Sequence, residues 1–168
     1  LISAFVSMLN QTILNTALPA IIKGLNITET TAQWLITGFM LVNGIMIPLT
    51  AFLMDKYSTR HLYIFSMAIF LIGSIIAAFS PTFTILMISR IIQAIGAGIL
   101  LPLMQFTVFT LFPAEQRGFA MGLAGVVVQS APAIGPTLTG LFVDLFSWRM
   151  PFYLVSAIAA VAFILGFF

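Results

Sequence analysis

Charges and helix breakers divide this chain into six apolar blocks, each near the length of a membrane crossing. The blocks run at about 1–22, 33–54, 62–79, 83–111, 118–142 and 151–168. A helix rises 1.5 Å per residue, so roughly 20 apolar residues cross the hydrocarbon core of a bilayer. Short polar segments separate the blocks: KGLNITETTAQ, DKYSTRH, SPT, PAEQRG and VDLFSWRM. Hydrophobic residues make up 61% of the chain and charged residues 6%, more apolar surface than one water-soluble core of this size can hide. In lipid only helices and closed barrels satisfy their own backbone hydrogen bonds. Barrel strands alternate apolar and polar residues over about ten positions, and these blocks do not. The pattern predicts an all-α, multi-pass membrane protein of six transmembrane helices joined by short loops.

The charges also set expectations by where they stand. The segments after the second and fourth spans carry Lys56, Arg60 and Arg117, and the opposite side carries Lys23 and Arg149. The excess of basic residues places the first set in the cytoplasm. Asn26-Ile27-Thr28 matches a glycosylation sequon, but a three-residue match arises often by chance and the segment reads as a polar loop. The chain has no cysteine, which excludes disulfide and thiol chemistry. The lone His61 adjoins a loop without a paired acid or nucleophile, so it reads as a further interfacial cation and the chain as no enzyme. No metal, cofactor or nucleic acid is expected.

Polar residues inside the spans carry the functional information. Arg90 lies about a third of the way along the fourth span. A buried arginine there costs at least about 2.5–3.5 kcal/mol, so it faces the bundle interior or a water-filled cavity, or else snorkels to an interface. Gln93 follows one turn later, and Gly96 and Gly98 allow a neighbouring helix to approach. The first span carries Ser3, Ser7, Asn10, Gln11 and Asn15 on one broad face, which serves either as interhelical glue or as cavity lining. The acids Glu29, Asp55, Glu115 and Asp144 all stand at or near span ends. A proton-carrying carboxylate at the membrane centre therefore has to come from elsewhere.

The fifth span contains QSAPAIGPTLTG at 129–140. Proline in a helix interior removes a backbone hydrogen bond and clashes with the preceding turn. Gly118, Gly122, Gly125, Gln129, Pro132, Pro136 and Gly140 nevertheless recur at steps of three and four, which makes them one face. Small residues let helices approach closely, and the prolines add a kink or swivel. The expected product is a smooth, bendable face for packing against another helix.

Four motifs in order then resemble the major facilitator superfamily, specifically the N-terminal half of a drug:proton antiporter of the fourteen-helix type. LNQTILNTALPAI at 9–21 is similar to the family's first-span signature, with Asn10 where aspartate is usual. AFLMDKYSTRHLYI at 51–64 resembles the loop motif Gly-x-Leu-x-Asp-Arg/Lys-x-Gly-Arg/Lys-Arg/Lys. Leu53, Asp55, Lys56 and Arg60 match it, and Ala51, Ser58 and Thr59 depart from it. ILMISRIIQAIGAG at 85–98 matches the fourth-span motif through Arg90, Gln93, Gly96 and Gly98. GVVVQSAPAIGPTLTG at 125–140 resembles the antiporter motif through Gly125, Pro132, Gly135, Pro136 and Gly140.

The resemblance implies a bundle of two inverted three-helix repeats in the cell membrane of a bacterium, one of the two bundles of a major-facilitator fold, with the second absent from this chain. It implies export of amphipathic, often cationic, drugs in exchange for protons. The alternatives are a transporter of a specific metabolite and a non-transporting six-helix module. Asp55, Lys56 and Arg60 would latch one conformation. Arg90 would take part in proton coupling, although Asn10 cannot titrate as the usual aspartate does. Asn10, Gln11, Asn15, Asn43, Gln93, Gln105 and Gln129 are the expected cavity lining. Gly125, Pro132, Gly135, Pro136 and Gly140 would form a hinge against the second bundle. Besides that bundle, the expected partners are lipid, protons and a small amphipathic drug.

Overall fold

A computed structural model describes residues 1–166, and residues 167 and 168 at the end of the expected sixth span lie outside it. The described residues form six helices: α1 (Ile2–Leu25), α2 (Glu29–Lys56), α3 (Thr59–Ala78), α4 (Phe83–Leu111), α5 (Ala114–Leu145) and α6 (Met150–Leu165). The first five are long and apolar enough to cross a membrane, and α6 is a shorter apolar helix within the described residues.

Helix ends follow capping chemistry more closely than hydropathy. KGLNITETTAQ reads as a loop, yet most of it is helical. The Thr28 hydroxyl accepts the Thr31 N–H at 3.2 Å, and Glu29 stands in the first turn of α2, where a negative charge is favoured. Asn26 closes α1 in the left-handed conformation (φ 51°), which asparagine tolerates well. Ser58 and Thr82 cap α3 and α4 in the same way, through the His61 and Ile85 N–H groups. Each connection is thereby reduced to a few residues.

Packing is led by α4, which lies against α3 and α2, while α1 lies against α5 and α6 lies against α3. Close approach is made by glycine. A Cβ on Gly96 would stand 2.6 Å from the Ser66 carbonyl and 2.9 Å from the Phe70 nitrogen of α3. A Cβ on Gly98 would meet Met46 and the Asn43 carbonyl of α2. Lipid offers no hydrophobic drive to bring helices together, so such fits supply the van der Waals contact that holds them. Exchanging α1–α3 with α4–α6 turns the α2–α4 contact into the α5–α1 contact and returns the α3–α6 and α1–α4 contacts to themselves. Three crossings per unit is an odd number, so the two units run through the membrane in opposite senses.

Candidate functional site

The interior polar site is assembled on α4. Arg90 is 1% exposed and Gln93 is fully buried one turn further on. The Gln93 Oε1 accepts from the Arg90 guanidinium at 2.8 Å and from the Asn10 amide of α1 at 3.3 Å. Its Nε2 donates to the Ser74 Oγ of α3 at 3.0 Å, and Ser74 donates in turn to the Phe70 carbonyl at 2.8 Å. One side chain therefore joins three helices. Gly73 makes this possible, because a Cβ there would stand 2.8 Å from the Gln93 side chain. The Arg90 guanidinium also lies over the Phe39 ring of α2, 4.2 Å from its centroid. Burial strengthens such cation–π contacts.

No carboxylate reaches this group: Glu29, Asp55, Glu115 and Asp144 are all exposed. Among the described residues the arginine is held by an amide oxygen and an aromatic face. Two polar atoms at the site have no partner among the described residues, the Arg90 Nε and the Asn10 Oδ1. A crevice of about 10 Å³ touches Arg90 and is lined by Gln11, Leu14, Asn15, Ile36, Phe39 and Met40. That is close to the least volume a single water requires. Asn15 and Met40 are exposed, so the crevice leads from the bundle surface to the guanidinium.

The expected cavity residues thus separate. Asn10 and Gln93 meet at the Arg90 site, and Gln11 and Asn15 line the approach to it. Asn43 stands apart on α2 beside Gly98, its Oδ1 buried and unpartnered. Gln105 on α4 and Gln129 on α5 are exposed. Sequence reading missed Phe39, Ser74 and Gly73. Their only local signal is a small or aromatic residue in an apolar span, which many positions share.

The fifth helix carries two parallel ridges of small residues. Ala120, Ala124, Val128, Ala131, Gly135 and Thr139 are buried. In that ridge Gly135 packs on α1, where a Cβ would lie 2.8 Å from Thr12. Beside it, Gly118, Gly122, Gly125, Gln129, Pro132 and Pro136 are exposed, and Gly140 is partly so. A Cβ on Gly118, Gly122, Gly125 or Gly140 would touch nothing within 4 Å. Gly135 therefore serves packing inside this bundle, while the other four motif residues face out of it. Helix α5 stays continuous through Pro132 and Pro136.

At the end of α2, Asp55 and Lys56 are exposed, and the Lys56 ammonium lies 4.5 Å from the Phe52 ring centroid. Arg60 is exposed in the first turn of α3, and the Ser58 Oγ lies 2.6 Å from the His61 Nδ1. Asp55 has no hydrogen-bond or ion-pair partner among the described residues.

Comparison with known proteins places these features. The family model described as Major Facilitator Superfamily matches residues 1–168. The chain is 53% identical over 166 residues to the uncharacterized MFS-type transporter YcnB of Bacillus subtilis (strain 168), covering 99% of this chain and 35% of YcnB. It is 42% identical over 166 residues to the lincomycin resistance protein LmrB of the same organism, covering 99% of this chain and 35% of LmrB. Among solved structures, a peptide transporter POT crystallised with sulfate superimposes with a TM-score of 0.82 at 14% identity, over 98% of this chain and 36% of that one. The last likeness shows the fold alone. The chain spans about a third of the length of the curated relatives it matches.

Proposed function

The chain belongs to the major facilitator superfamily, whose members are multi-pass membrane transporters and not enzymes, and from that premise we propose that it forms the N-terminal bundle of a secondary active multidrug exporter, exchanging amphipathic or cationic compounds for protons. The observation that carries this reading is the outward-facing Gly/Pro ridge of α5. It is smooth, continuous over seven positions and unpacked within this bundle, and it suits close contact with a helix of a second bundle. The resistance function named for LmrB supports export of drugs.

In this mechanism substrate binds between two bundles near the membrane midplane, and the bundles rock about that site. The ridge seals and bends the seam. Asp55, Lys56 and Arg60 latch the cytoplasmic side, with Asp55 reaching a positive group of the second bundle. Asn10, Gln11, Asn15, Asn43, Gln93, Gln105 and Gln129 supply polar groups along the seam and the approach to Arg90. The titrating carboxylate comes from outside this bundle, because Asn10, the first-helix side chain that reaches the Arg90–Gln93 pair, cannot ionise. Arg90 tunes that carboxylate through its charge.

The same asparagine favours a second reading, a transporter of a specific metabolite whose acidic group Arg90 recognises directly. Reconstitution of the full-length protein in liposomes separates the two. Addition of a cationic drug should drive a lumenal pH change in wild type that disappears in Arg90→Ala. No flux from folded, correctly inserted wild-type protein across a panel of cationic drugs would discard drug:proton antiport and leave the metabolite reading.

A further inference from the structure

The segment that joins α5 to α6 in the second three-helix unit repeats the segment that joins α2 to α3 in the first. Residues 51–60 read AFLMDKYSTR and residues 140–149 read GLFVDLFSWR. Both run through a small residue, three apolar residues, Asp, an aromatic two positions on, Ser and then Arg at the same spacing. The matched residues are Asp55 with Asp144, Tyr57 with Phe146, Ser58 with Ser147 and Arg60 with Arg149. Each copy occupies the same place in the fold, the last turn of a unit's middle helix and the start of its third. The serines do similar local work: the Ser58 Oγ accepts the His61 N–H at 3.4 Å and the Ser147 Oγ accepts the Arg149 N–H at 3.2 Å. The Arg149 guanidinium donates to the Ser80 carbonyl at 2.9 Å and so ties the start of α6 to the end of α3.

The two aspartates have no comparable local work. Both stand in the final turn of a helix, where the negative end of the macrodipole opposes a carboxylate. Both are exposed, and neither has a hydrogen-bond or ion-pair partner among the described residues. Asp144 lacks even a sequence-adjacent cation, since Leu145 stands where Lys56 follows Asp55. Three crossings separate the two helix ends, so they lie on opposite membrane faces.

We propose that Asp144 is a second latch, which holds the membrane face opposite Asp55 closed by pairing with a basic side chain of the second bundle. The proposal rests on the two-bundle alternating-access reading above. The exposed Gly/Pro ridge of α5 runs into Asp144 through Gly140, so a helix seated on that ridge brings its own side chains to the carboxylate. An anionic lipid surface would repel it. The relatives are about three times as long as this chain, which leaves room on the same polypeptide for such a helix.

The test uses the full-length protein in membrane vesicles. No cysteine occurs in this bundle, so, with any cysteine elsewhere in the full-length protein replaced by serine, single reporter cysteines can be placed at exposed Thr137, toward the Asp144 end of α5, or at exposed Gln105, toward the Asp55 face on α4. Maleimide labelling rates are measured at each. Asp144→Asn should raise the rate at 137 about five-fold and lower it at 105, and Asp144→Glu should keep wild-type rates. Asp55→Asn should shift both in the opposite sense. If Asp55→Asn shifts the balance while Asp144→Asn leaves both rates unchanged or moves them the same way as Asp55→Asn, Asp144 is an ordinary interfacial carboxylate and the proposal falls alone. If neither variant shifts either reporter, the alternating-access reading falls with it. A variant in which Asp144→Glu behaves as Asp144→Asn marks a loss of local structure and also overturns the latch.

Discussion

Replacing Gln93 by leucine should unfasten three helices at once. Gln93 accepts a charge-assisted hydrogen bond from Arg90 at 2.8 Å, accepts a longer one from Asn10 at 3.3 Å and donates to Ser74 at 3.0 Å. A hydrogen bond to a buried charged group is worth about 1.5–3 kcal/mol. Neutral side-chain bonds between membrane helices average about 0.6 kcal/mol each. Gln93→Leu should therefore destabilise the bundle by about 3–4 kcal/mol, chiefly because Arg90 is left buried without its acceptor. Gln93→Glu keeps the acceptor and adds the counter-charge that the site lacks, so it should stay near wild type or above it. The double variant Arg90→Leu, Gln93→Leu should recover most of the loss, as apolar replacement of both members of a buried polar pair often does. Thermal unfolding of the purified full-length protein in detergent, followed by tryptophan fluorescence, reads all three. The shift per kcal/mol falls as chain length grows, so Gln93→Leu should lower Tm by roughly 5 °C. A Gln93→Leu protein with unchanged Tm, or a Gln93→Glu protein less stable than Gln93→Leu, would refute the account of Arg90 as an uncompensated charge held by an amide.

The two kinds of glycine should part company under substitution. Gly96→Ala drives a methyl into the Ser66 carbonyl and Phe70 backbone of α3 and should cost about 1–3 kcal/mol in the same assay. Gly122→Ala meets nothing within 4 Å and should leave the bundle as stable or up to about 1 kcal/mol more stable, while lowering transport by the full-length protein. Phe39→Ala removes the ring stacked on Arg90 and opens a cavity, with an expected loss of about 3–5 kcal/mol, whereas Phe39→Trp should retain the cation–π contact and part of that stability. Arg149→Gln should cost about 1–2 kcal/mol through its lost bond to the Ser80 carbonyl, and hydrogen exchange should quicken in the loop between α3 and α4.

Whether a residue lies in lipid, and whether it is helical, depend on neighbours along the chain, and so the solvent, the helices and most of their order could be read from apolar runs and breakers. The adjacency of Arg90 and Gln93 was legible for the same reason, since three residues along a helix is one turn. The face of α5 was legible as a spacing, and Gly135 shows the limit. It stands one residue from Pro136, which turns it about 100° around the helix and onto the ridge that packs against α1. The loop after α1 is shorter than its polar composition predicts because the Thr28 cap, a single side-chain hydrogen bond, extends α2 beyond its apolar stretch.

The amino-acid sequence by itself determined that this chain lives in lipid as helices, that one arginine is stranded among apolar residues, and that no acid of its own stands mid-membrane. Only the tertiary structure decided that Gln93 ties that arginine to Asn10 of α1 and Ser74 of α3 while Phe39 of α2 covers it, and which of two adjacent small-residue ridges stays free. The first turns on how closely α2, α3 and α4 approach at Gly73, Gly96 and Gly98, and the second on the fit of α1 against Gly135. Such distances come from shape fitting between segments remote in sequence, and no local pattern encodes them.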